Sequence, residues 1–305
     1  MAVGIGDDAA ILRASAAATV HTVDGFRSLL NDPYLFGRIT AHHALNDVLA
    51  MGGRGIAALA LASVPLMSER LMEEDLYQLL AGAVAVLNAH DVPLVGGHSA
   101  EAAELSLALS VTGEVVEPML TKTGLQPGEE LVLSKPLGTG VLMAGLMRGE
   151  TPSRWAQGAI AAMDQSNAAG LAVLRDFDVR CATDVSGFGL VGHLGEMLRG
   201  SAVGVELEAG RVPTLAGAAA QFERGVVSSL QANNAGALRD FELRGLDPQT
   251  PALGLLVDPQ TSGGLLASVS PEQSQACVAA LRAAGYPDAA VIGRVTDAAH
   301  GWVIA

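Results

Sequence analysis

The sequence has very little of several residue types, and each shortage excludes a class of protein. Only two cysteines occur in 305 residues, Cys181 and Cys277, so a disulfide framework or a zinc site built from paired cysteines is excluded. Lys122 and Lys135 are the only lysines, which leaves few candidates for a catalytic lysine. No segment reaches the roughly 18 consecutive apolar residues of a membrane span, and the N-terminus lacks the pattern of a secretory signal. We therefore expect a cytoplasmic protein with no membrane partner.

The charge balance is strongly acidic. The chain has 18 Lys and Arg residues against 32 Asp and Glu residues, for a formal net charge of −14. Such a surface repels phosphodiester backbones, so we expect no nucleic-acid partner. Half of the residues are hydrophobic, which is enough for a large buried core, and the length suits two domains of about 100–200 residues each.

The first part of the chain predicts mixed strands and helices. A strand over 18–24 ends at Asp24-Gly25, and Asp32-Pro33 then supplies a cap and a first-turn proline for a helix that ends at residues 52–53. A second helix is predicted over 68–89, a short strand over 92–95 stopped by Gly96-Gly97, and an alternating strand over 104–117. The stretch around Glu117-Pro118 reads as a linker, so we expect domains at 1–118 and 119–305.

The second part continues in the same mixed style. Strands are predicted over 131–134, 180–185, 203–207, 253–257, 265–269 and 290–293, and helices from residue 140 and over 156–177, 190–199 and 271–284. Intermixed strands and helices in both parts favour an α/β or α+β fold.

Aspartates recur where the predicted elements begin or end. Asp7 and Asp8 precede an apolar strand, Asp24 follows a strand, Asp47 lies late in the first helix and Asp184 ends another strand. Mg²⁺ takes one or two carboxylates together with phosphate oxygens, so converging aspartates suit a nucleotide and magnesium site. The alternative is that each aspartate is an ordinary cap or turn residue.

Two glycine-rich segments carry further signals. Gly96-Gly97-His98-Ser99 offers backbone amides, an imidazole and a hydroxyl that suit phosphate or ribose, although an ordinary turn gives the same pattern. Gly187, Gly189 and Gly192 form a GxGxxG motif between a predicted strand and a predicted helix, which is typical of dinucleotide binding and leaves an NAD-binding oxidoreductase domain as an alternative. No GxxxxGK[ST] phosphate-binding loop occurs. A metal is also suggested by His42, His43 and Asp47, since His43 and Asp47 share one helical face, but helix packing is the favoured interpretation.

Taken in order, several segments resemble the selenophosphate synthetase (selenide, water dikinase) family of the PurM-like, aminoimidazole-ribonucleotide-synthetase superfamily. They are GDDAA at 6–10, VDGF at 23–26, FGRITAHHALNDVLAMGG at 36–53, GGHS at 96–99, TDVSGFGLVGHLGEM at 183–197 and DPQTSGGLL at 258–266. The resemblance implies a two-domain PurM-like fold. Its N-terminal domain would bind ATP and Mg²⁺ and contribute strands to a β-barrel shared in a homodimer, and its C-terminal domain would be α/β.

The resemblance also implies the site residues and the reaction. By position, Asp8, Asp47 and Asp184 would ligate Mg²⁺, and the following residues would contact ATP or its metals: Asp7, Asp24, Asp47, Gly97, His98 and Ser99. The family reaction converts ATP, selenide and water to selenophosphate, AMP and phosphate. Two phosphoanhydride bonds are cleaved, so neutralising phosphate charge is a large part of the chemistry.

One departure from the family pattern affects catalysis. Family members carry a glycine-rich segment with a catalytic Cys or selenocysteine and a lysine before the GDD motif, whereas this motif starts at Gly6 here. We therefore assign no catalytic residue, and we expect either the C-terminal module of an oxidoreductase fusion or an N-terminally truncated form. Such a chain would bind ATP and Mg²⁺ yet make little selenophosphate alone. A non-catalytic PurM-like binding module is the remaining alternative.

Overall fold

The computed structural model describes residues 18–247, 250–298 and 301–305. The chain divides into two compact units between Met119 and Leu120. Among the described residues, no helix is both long enough and apolar enough to cross a bilayer.

The first unit is a four-stranded sheet with two helices. Its elements are β1 (Thr19–Arg27), α1 (Pro33–Ala50), β2 (Gly53–Pro65), α2 (Glu69–Ala89), β3 (Leu94–Ala102) and β4 (Ser106–Val115). The strand order is β1-β4-β2-β3, with β2 and β3 parallel and the other two pairs antiparallel. One face of the sheet packs against the helices and forms the core with Phe36, Leu45, Leu107 and Leu109.

Helix α1 begins where the sequence predicts and ends at Ala50, shortly before the predicted end at 52–53. The Asp32 carboxylate accepts a hydrogen bond from the Leu35 amide, and Pro33 occupies the first turn, where its missing N–H costs nothing. The helix packs closely against α2 because a Cβ at Gly37 would lie 2.0 Å from the carbonyl oxygen of Leu79. Only glycine therefore allows this approach.

Two predictions in the first unit are wrong. The predicted strand over 92–95 is longer, since β3 continues through Gly96-Gly97 to Ala102. A Cβ at Gly97 would lie 2.0 Å from the carbonyl oxygen of Ala60, so this glycine permits strand pairing instead of ending the strand. Strand β2 is absent from the prediction, because its run of alanines has weak strand propensity and tertiary packing decides its conformation.

The second unit contains a seven-stranded sheet with helices. Its elements are β5 (Glu130–Leu133), α3 (Thr139–Met147), α4 (Ser153–Met163), α5 (Ala168–Asp176), β6 (Ala182–Asp184), α6 (Gly189–Ser201), β7 (Gly204–Leu207), α7 (Ala218–Glu223), α8 (Gln231–Asn234), β8 (Glu242–Leu243), α9 (Pro251–Leu256), β9 (Leu265–Val269), α10 (Ser274–Ala283), β10 (Ala290–Thr296) and β11 (Trp302–Ile304). The strand order is β6-β9-β5-β10-β7-β11-β8. Both units are therefore mixed α/β, as the sequence predicts.

Two predicted elements of the second unit differ from the structure, and four short elements, α7, α8, β8 and β11, are absent from the prediction. Residues 253–257 are predicted as a strand but belong largely to helix α9, which the Thr250 hydroxyl caps by accepting from the Leu253 amide and which Pro251 begins. The predicted helix over 156–177 is two helices, α4 and α5. Tertiary hydrogen bonds fix the break, because the Lys135 ammonium donates to the Gln165 carbonyl and the Asn167 side chain donates to the Gly263 carbonyl.

Candidate functional site

Two of the predicted carboxylates lie side by side in the first unit, between β1 and α1. Alternate residues of β1 face α1, among them Thr22 and Asp24. Asp24 Oδ2 lies 3.0 Å from His43 Nε2, and the Thr22 hydroxyl donates to Asp47 Oδ2 at 2.5 Å. Thr22 and Asp24 are two residues apart on the strand and therefore share a face, as do His43 and Asp47, four residues apart on the helix. The Asp24–His43 and Thr22–Asp47 pairs are therefore neighbours.

The Asp24 carboxyl is held in its ionised form. Burial raises the pKa of this carboxyl. The hydrogen bond and charge of His43 and the hydrogen bond from the Gly25 amide lower it by more, so the net pKa is below the ordinary value. The ring of Phe26 packs edge-on against His43 at a centroid distance of 5.2 Å. His43 is thus the partner of Asp24, a role that the sequence analysis missed, as it missed Thr22. The two-residue alternation of β1 could have indicated that Thr22 lies on the same face as Asp24.

The predicted phosphate-binding segment lies at the opposite edge of the same sheet. The register aligns Asp24 with Leu109, Leu109 with Ala60 and Ala60 with Gly97. Three strand spacings of about 4.8 Å separate the ends of this row, or roughly 14 Å. Within this unit, the Gly97 backbone and the Asp24 carboxylate therefore do not converge.

A cavity of about 250 Å³ adjoins this segment. Its lining is mostly aliphatic and comprises Ala60, Ala62, Leu76, Leu80, Leu94, Gly96, Gly97, His98 and Ser99. His98 and Ser99 are exposed, so their polar groups are accessible to a ligand there.

Asp184 ends strand β6 in the second unit and is only 5% exposed. The turn after it is tied to the segment 258–264, because the Val185 amide donates to the Gly264 carbonyl and the Gln260 amide donates to the Ser186 carbonyl. The DPQTSGG segment therefore helps to hold the turn that follows this aspartate.

The same segment caps helix α3. Gln260 Oε1 accepts from the amides of Gly138 and Thr139, and Asp258 Oδ2 accepts from the Gly140 amide. Burial raises the pKa of Asp258 to about 7, while the amide and Gln260 hydrogen bonds act in the opposite direction. These side chains occupy the amides that a helix N-terminus leaves without partners.

Lys135 is buried beside this turn. Its ammonium donates to the carbonyls of Gln165 at 2.6 Å and Ser262 at 3.0 Å. Burial lowers its pKa to about 7, and the charges of Asp184 and Asp164 partly oppose that shift. Its place is structural, joining the strand end to two loops.

The remaining predicted ligands, Asp7 and Asp8, lie outside the described residues. Within the part of the chain that the structure does describe, no three His, Cys, Asp or Glu residues are grouped as they would be to hold a metal ion. Asp24 and Asp47 belong to the first unit and Asp184 to the second.

The GxGxxG motif lacks the strand context of a dinucleotide-binding fold. Strand β6 precedes the motif and pairs antiparallel with β9, and β7, the next strand along the chain, lies four positions away from β6 in the sheet. A dinucleotide site requires a βαβ unit in a largely parallel sheet. Gly189 instead has a φ of +71°, and a Cβ there would lie 2.8 Å from the Val257 backbone. The motif thus serves close packing, and the NAD-binding alternative is not supported.

Comparison with protein families agrees with this architecture. The model of the AIR synthase related protein N-terminal domain matches residues 6–115, and that of the C-terminal domain matches residues 126–304. The fold is also that of thiamine-monophosphate kinase from Stenotrophomonas maltophilia, with a TM-score of 0.75 and 24% identity over 99% of this chain and 90% of that one. Escherichia coli HypE, a hydrogenase maturation protein, gives a TM-score of 0.75 at 18% identity over 99% and 88% of the two chains.

Sequence relatives are more specific than the fold. Selenide, water dikinase of Pelobacter propionicus is 38% identical over 95% of this chain and 84% of its own length. The Myxococcus xanthus enzyme is 39% identical over 95% and 82%, and the Clostridioides difficile enzyme is 33% identical over 97% and 85%. With both AIR synthase related domains present and this identity along nearly its whole length, the chain belongs to the selenide, water dikinase family.

Proposed function

We propose that this chain is the Mg²⁺- and ATP-binding enzyme core of selenophosphate synthesis, the reaction that converts ATP, selenide and water to selenophosphate, AMP and phosphate. Membership of the selenide, water dikinase family supports the reaction class. The observation that carries the site assignment is the pairing of Asp24 with His43 and of Asp47 with Thr22 on facing surfaces of β1 and α1.

The donors in this region fit magnesium. Mg²⁺ prefers hard oxygen ligands and uses one or two carboxylates together with substrate phosphates. Asp24 and Asp47 offer carboxylates next to a hydroxyl, and the lowered pKa of Asp24 keeps that group ionised at neutral pH. Asp47 and Asp184, with Asp8, are the proposed metal ligands. When bound, Mg²⁺ would neutralise phosphate charge, which is a major requirement of phosphoryl transfer.

The chain's own residues then act by orientation. His43 holds the Asp24 carboxylate, and Thr22 holds one oxygen of Asp47, so neither side chain needs to be ordered when nucleotide arrives. Asp7 and Asp24 are the proposed carboxylates around ATP and its metals. Gly97 would offer backbone to the nucleotide, with the exposed His98 imidazole and Ser99 hydroxyl as donors.

We further propose a homodimer in which the first unit's sheet joins that of a second copy in a shared barrel. The sheet face opposite the helices exposes Val23, Leu59 and Leu61 at 72%, 47% and 52%. Within the described residues, β1 and β3 are the edges of this sheet. Exposed apolar surface and open edges both favour association.

Calorimetric titration of ATP with Mg²⁺ and with EDTA tests the nucleotide proposal. We expect binding that requires Mg²⁺ and is at least tenfold weaker in Asp47→Asn and Asp184→Asn, because each loses a charged ligand while keeping its size. NAD should not bind.

Asp178→Asn is the matched control for these variants. Asp178 is exposed and has a φ of +54°, a conformation that asparagine also accepts. Its ATP affinity should equal that of the wild type. ATP binding that is indifferent to EDTA, or equal losses in all three variants, would contradict the proposal.

A further inference from the structure

The histidine of the TDVSGFGLVGH motif lies under the turn that follows Asp184. His193 is in α6 and only 4% exposed. Its Nε2 accepts the Ser186 amide at 3.1 Å and lies 3.2 Å from the Ser186 hydroxyl. Phe188, in the same loop, covers the imidazole at a centroid distance of 5.6 Å. One imidazole thus anchors the residue two positions after the proposed magnesium ligand.

The other ring nitrogen lies near a carboxylate, beyond hydrogen-bond distance. His193 Nδ1 lies 3.7 Å from Glu196 Oε2, one turn later on α6, and Lys122 Nζ donates to the same oxygen at 2.7 Å. Lys122 therefore orients Glu196, and Glu196 lies beside the imidazole. Lys122, Glu196 and His193 thus form a row of contacts that ends at the turn after Asp184.

The hydrogen bonds define the form of the imidazole. A backbone amide can only donate, so Nε2 must act as the acceptor, and the proton of the neutral ring is then on Nδ1, towards Glu196. In space, Ser186, His193 and Glu196 follow one another as the serine, histidine and acid of a hydrolase triad do. However, the amide of Ser186 already occupies the Nε2 lone pair that would have to activate the serine hydroxyl. The arrangement therefore favours positioning over nucleophilic catalysis.

We infer that His193 is a positioning residue for Asp184: by accepting the Ser186 amide, and supported by Glu196 and Lys122, it fixes the turn that aims the carboxylate. This inference rests on the proposed role of Asp184 as a magnesium ligand. Groups behind a metal ligand commonly change metal affinity by about 10–100-fold when they are removed. In this inference Asp184 binds the metal, and His193 positions the turn that carries Asp184.

A pair of variants separates positioning from simple packing. His193→Gln places an amide oxygen within reach of the Ser186 N–H, whereas His193→Leu has similar bulk and no acceptor. Hydrogen exchange of the peptide covering 184–189 should become at least tenfold faster in His193→Leu and change by less than about threefold in His193→Gln. The Mg²⁺ concentration for half-maximal ATP binding should rise tenfold or more only in His193→Leu, in line with groups of this kind.

Two further variants complete the test. Leu194→Ala, in the core beside His193 on α6, should destabilise the protein without moving the Mg²⁺ midpoint. Glu196→Gln, at a partly exposed position, should raise the midpoint about threefold, so it tests the inference even when His193→Leu does not fold. Unchanged exchange at 184–189 in His193→Leu, or unchanged midpoints in both His193→Leu and Glu196→Gln, would overturn the inference. If His193→Leu does not fold, an unchanged midpoint in Glu196→Gln alone would overturn it.

Asp184→Asn distinguishes this failure from that of the proposed function. If Asp184→Asn raises the Mg²⁺ midpoint and the His193 and Glu196 variants do not, the positioning role is wrong and the metal assignment stands. If Asp184→Asn has no effect, the metal assignment fails and the inferred positioning role fails with it, whatever the exchange rates show about the turn.

Discussion

The two sheets of this protein carry side chains of opposite character on their exposed faces. In the first unit, the face away from the helices exposes Val23, Leu59 and Leu61. In the second unit, exposed positions of the sheet carry charges that pair across strands, such as Arg294 with Glu206 at 3.8 Å. A charged sheet face is well solvated by water, whereas an exposed apolar face of this kind is typical of an interaction surface. The comparison favours the proposed dimer through the first unit.

The units also differ in how they bury ionisable groups. Asp24 and His43 of the first unit form a partly accessible pair. Lys135 of the second unit is 2% exposed and hydrogen-bonded to carbonyl oxygens. The first arrangement leaves a carboxylate accessible for ligand chemistry, and the second joins loops at an electrostatic cost.

The largest expected effect comes from the buried side of the second sheet. Leu207 is fully buried in β7, and its neighbour Glu206 points to the opposite face. Leu207→Ala should lower the free energy of unfolding by about 2–5 kcal/mol, whereas Glu206→Ala should change it by less than about 0.5 kcal/mol because exposed ion pairs contribute little. Denaturant unfolding measures both. Similar losses would show that the charged face matters as much as the core.

The apolar face of the first unit should control oligomeric state. Replacing Leu59 and Leu61 together by Glu should weaken the proposed dimer at least a hundredfold, about 2.7 kcal/mol, since carboxylates would have to be buried there. Light scattering behind a sizing column measures the mass across a dilution series. Leu230→Glu is the control, because Leu230 in the second unit is exposed to a similar degree, 46% against 47% for Leu59. A wild-type mass of 31.1 kDa at every concentration would refute the dimer.

A smaller effect should appear in the pH dependence of stability. The pKa of Lys135 is about 7 in the folded chain against an ordinary value of 10.5, so between these values the unfolded chain binds more protons and stability rises with pH. Relative to Lys135→Met, which cannot titrate, the wild type should gain about 2 kcal/mol between pH 7 and pH 9. Unfolding curves at several pH values measure the difference. A difference independent of pH would mean that Lys135 stays charged when buried.

Local signals in the sequence predict some elements well. Asp32 and Pro33 determine the start of α1 because a cap and a first-turn proline act through adjacent backbone. The predicted strand over 265–269 is confirmed as β9. The predictions failed where distant segments decide: residues 253–257 read as an apolar strand, and the break between α4 and α5 depends on Lys135 and Gly263.

The candidate site divides in the same way. Motif order was sufficient to predict the family, and the spacing of α1 was sufficient to place His43 and Asp47 on one face. That Asp24 pairs with His43, and that Gly97 lies across the sheet from Asp24, depended on strand register. Register joins residues far apart in the chain, so a single sequence carries little information about it.

By itself, the sequence determined the acidic character, the mixed α/β class, the start of α1 and the membership of the selenide, water dikinase family, because each depends on composition, adjacent residues or motifs read in order. Only the tertiary structure decided which groups hold the aspartates: His43 for Asp24, Thr22 for Asp47, and His193 behind the turn of Asp184. The physical reason is that hydrogen bonds act over about 3 Å in space, and the fold alone brings such distant residues within that range.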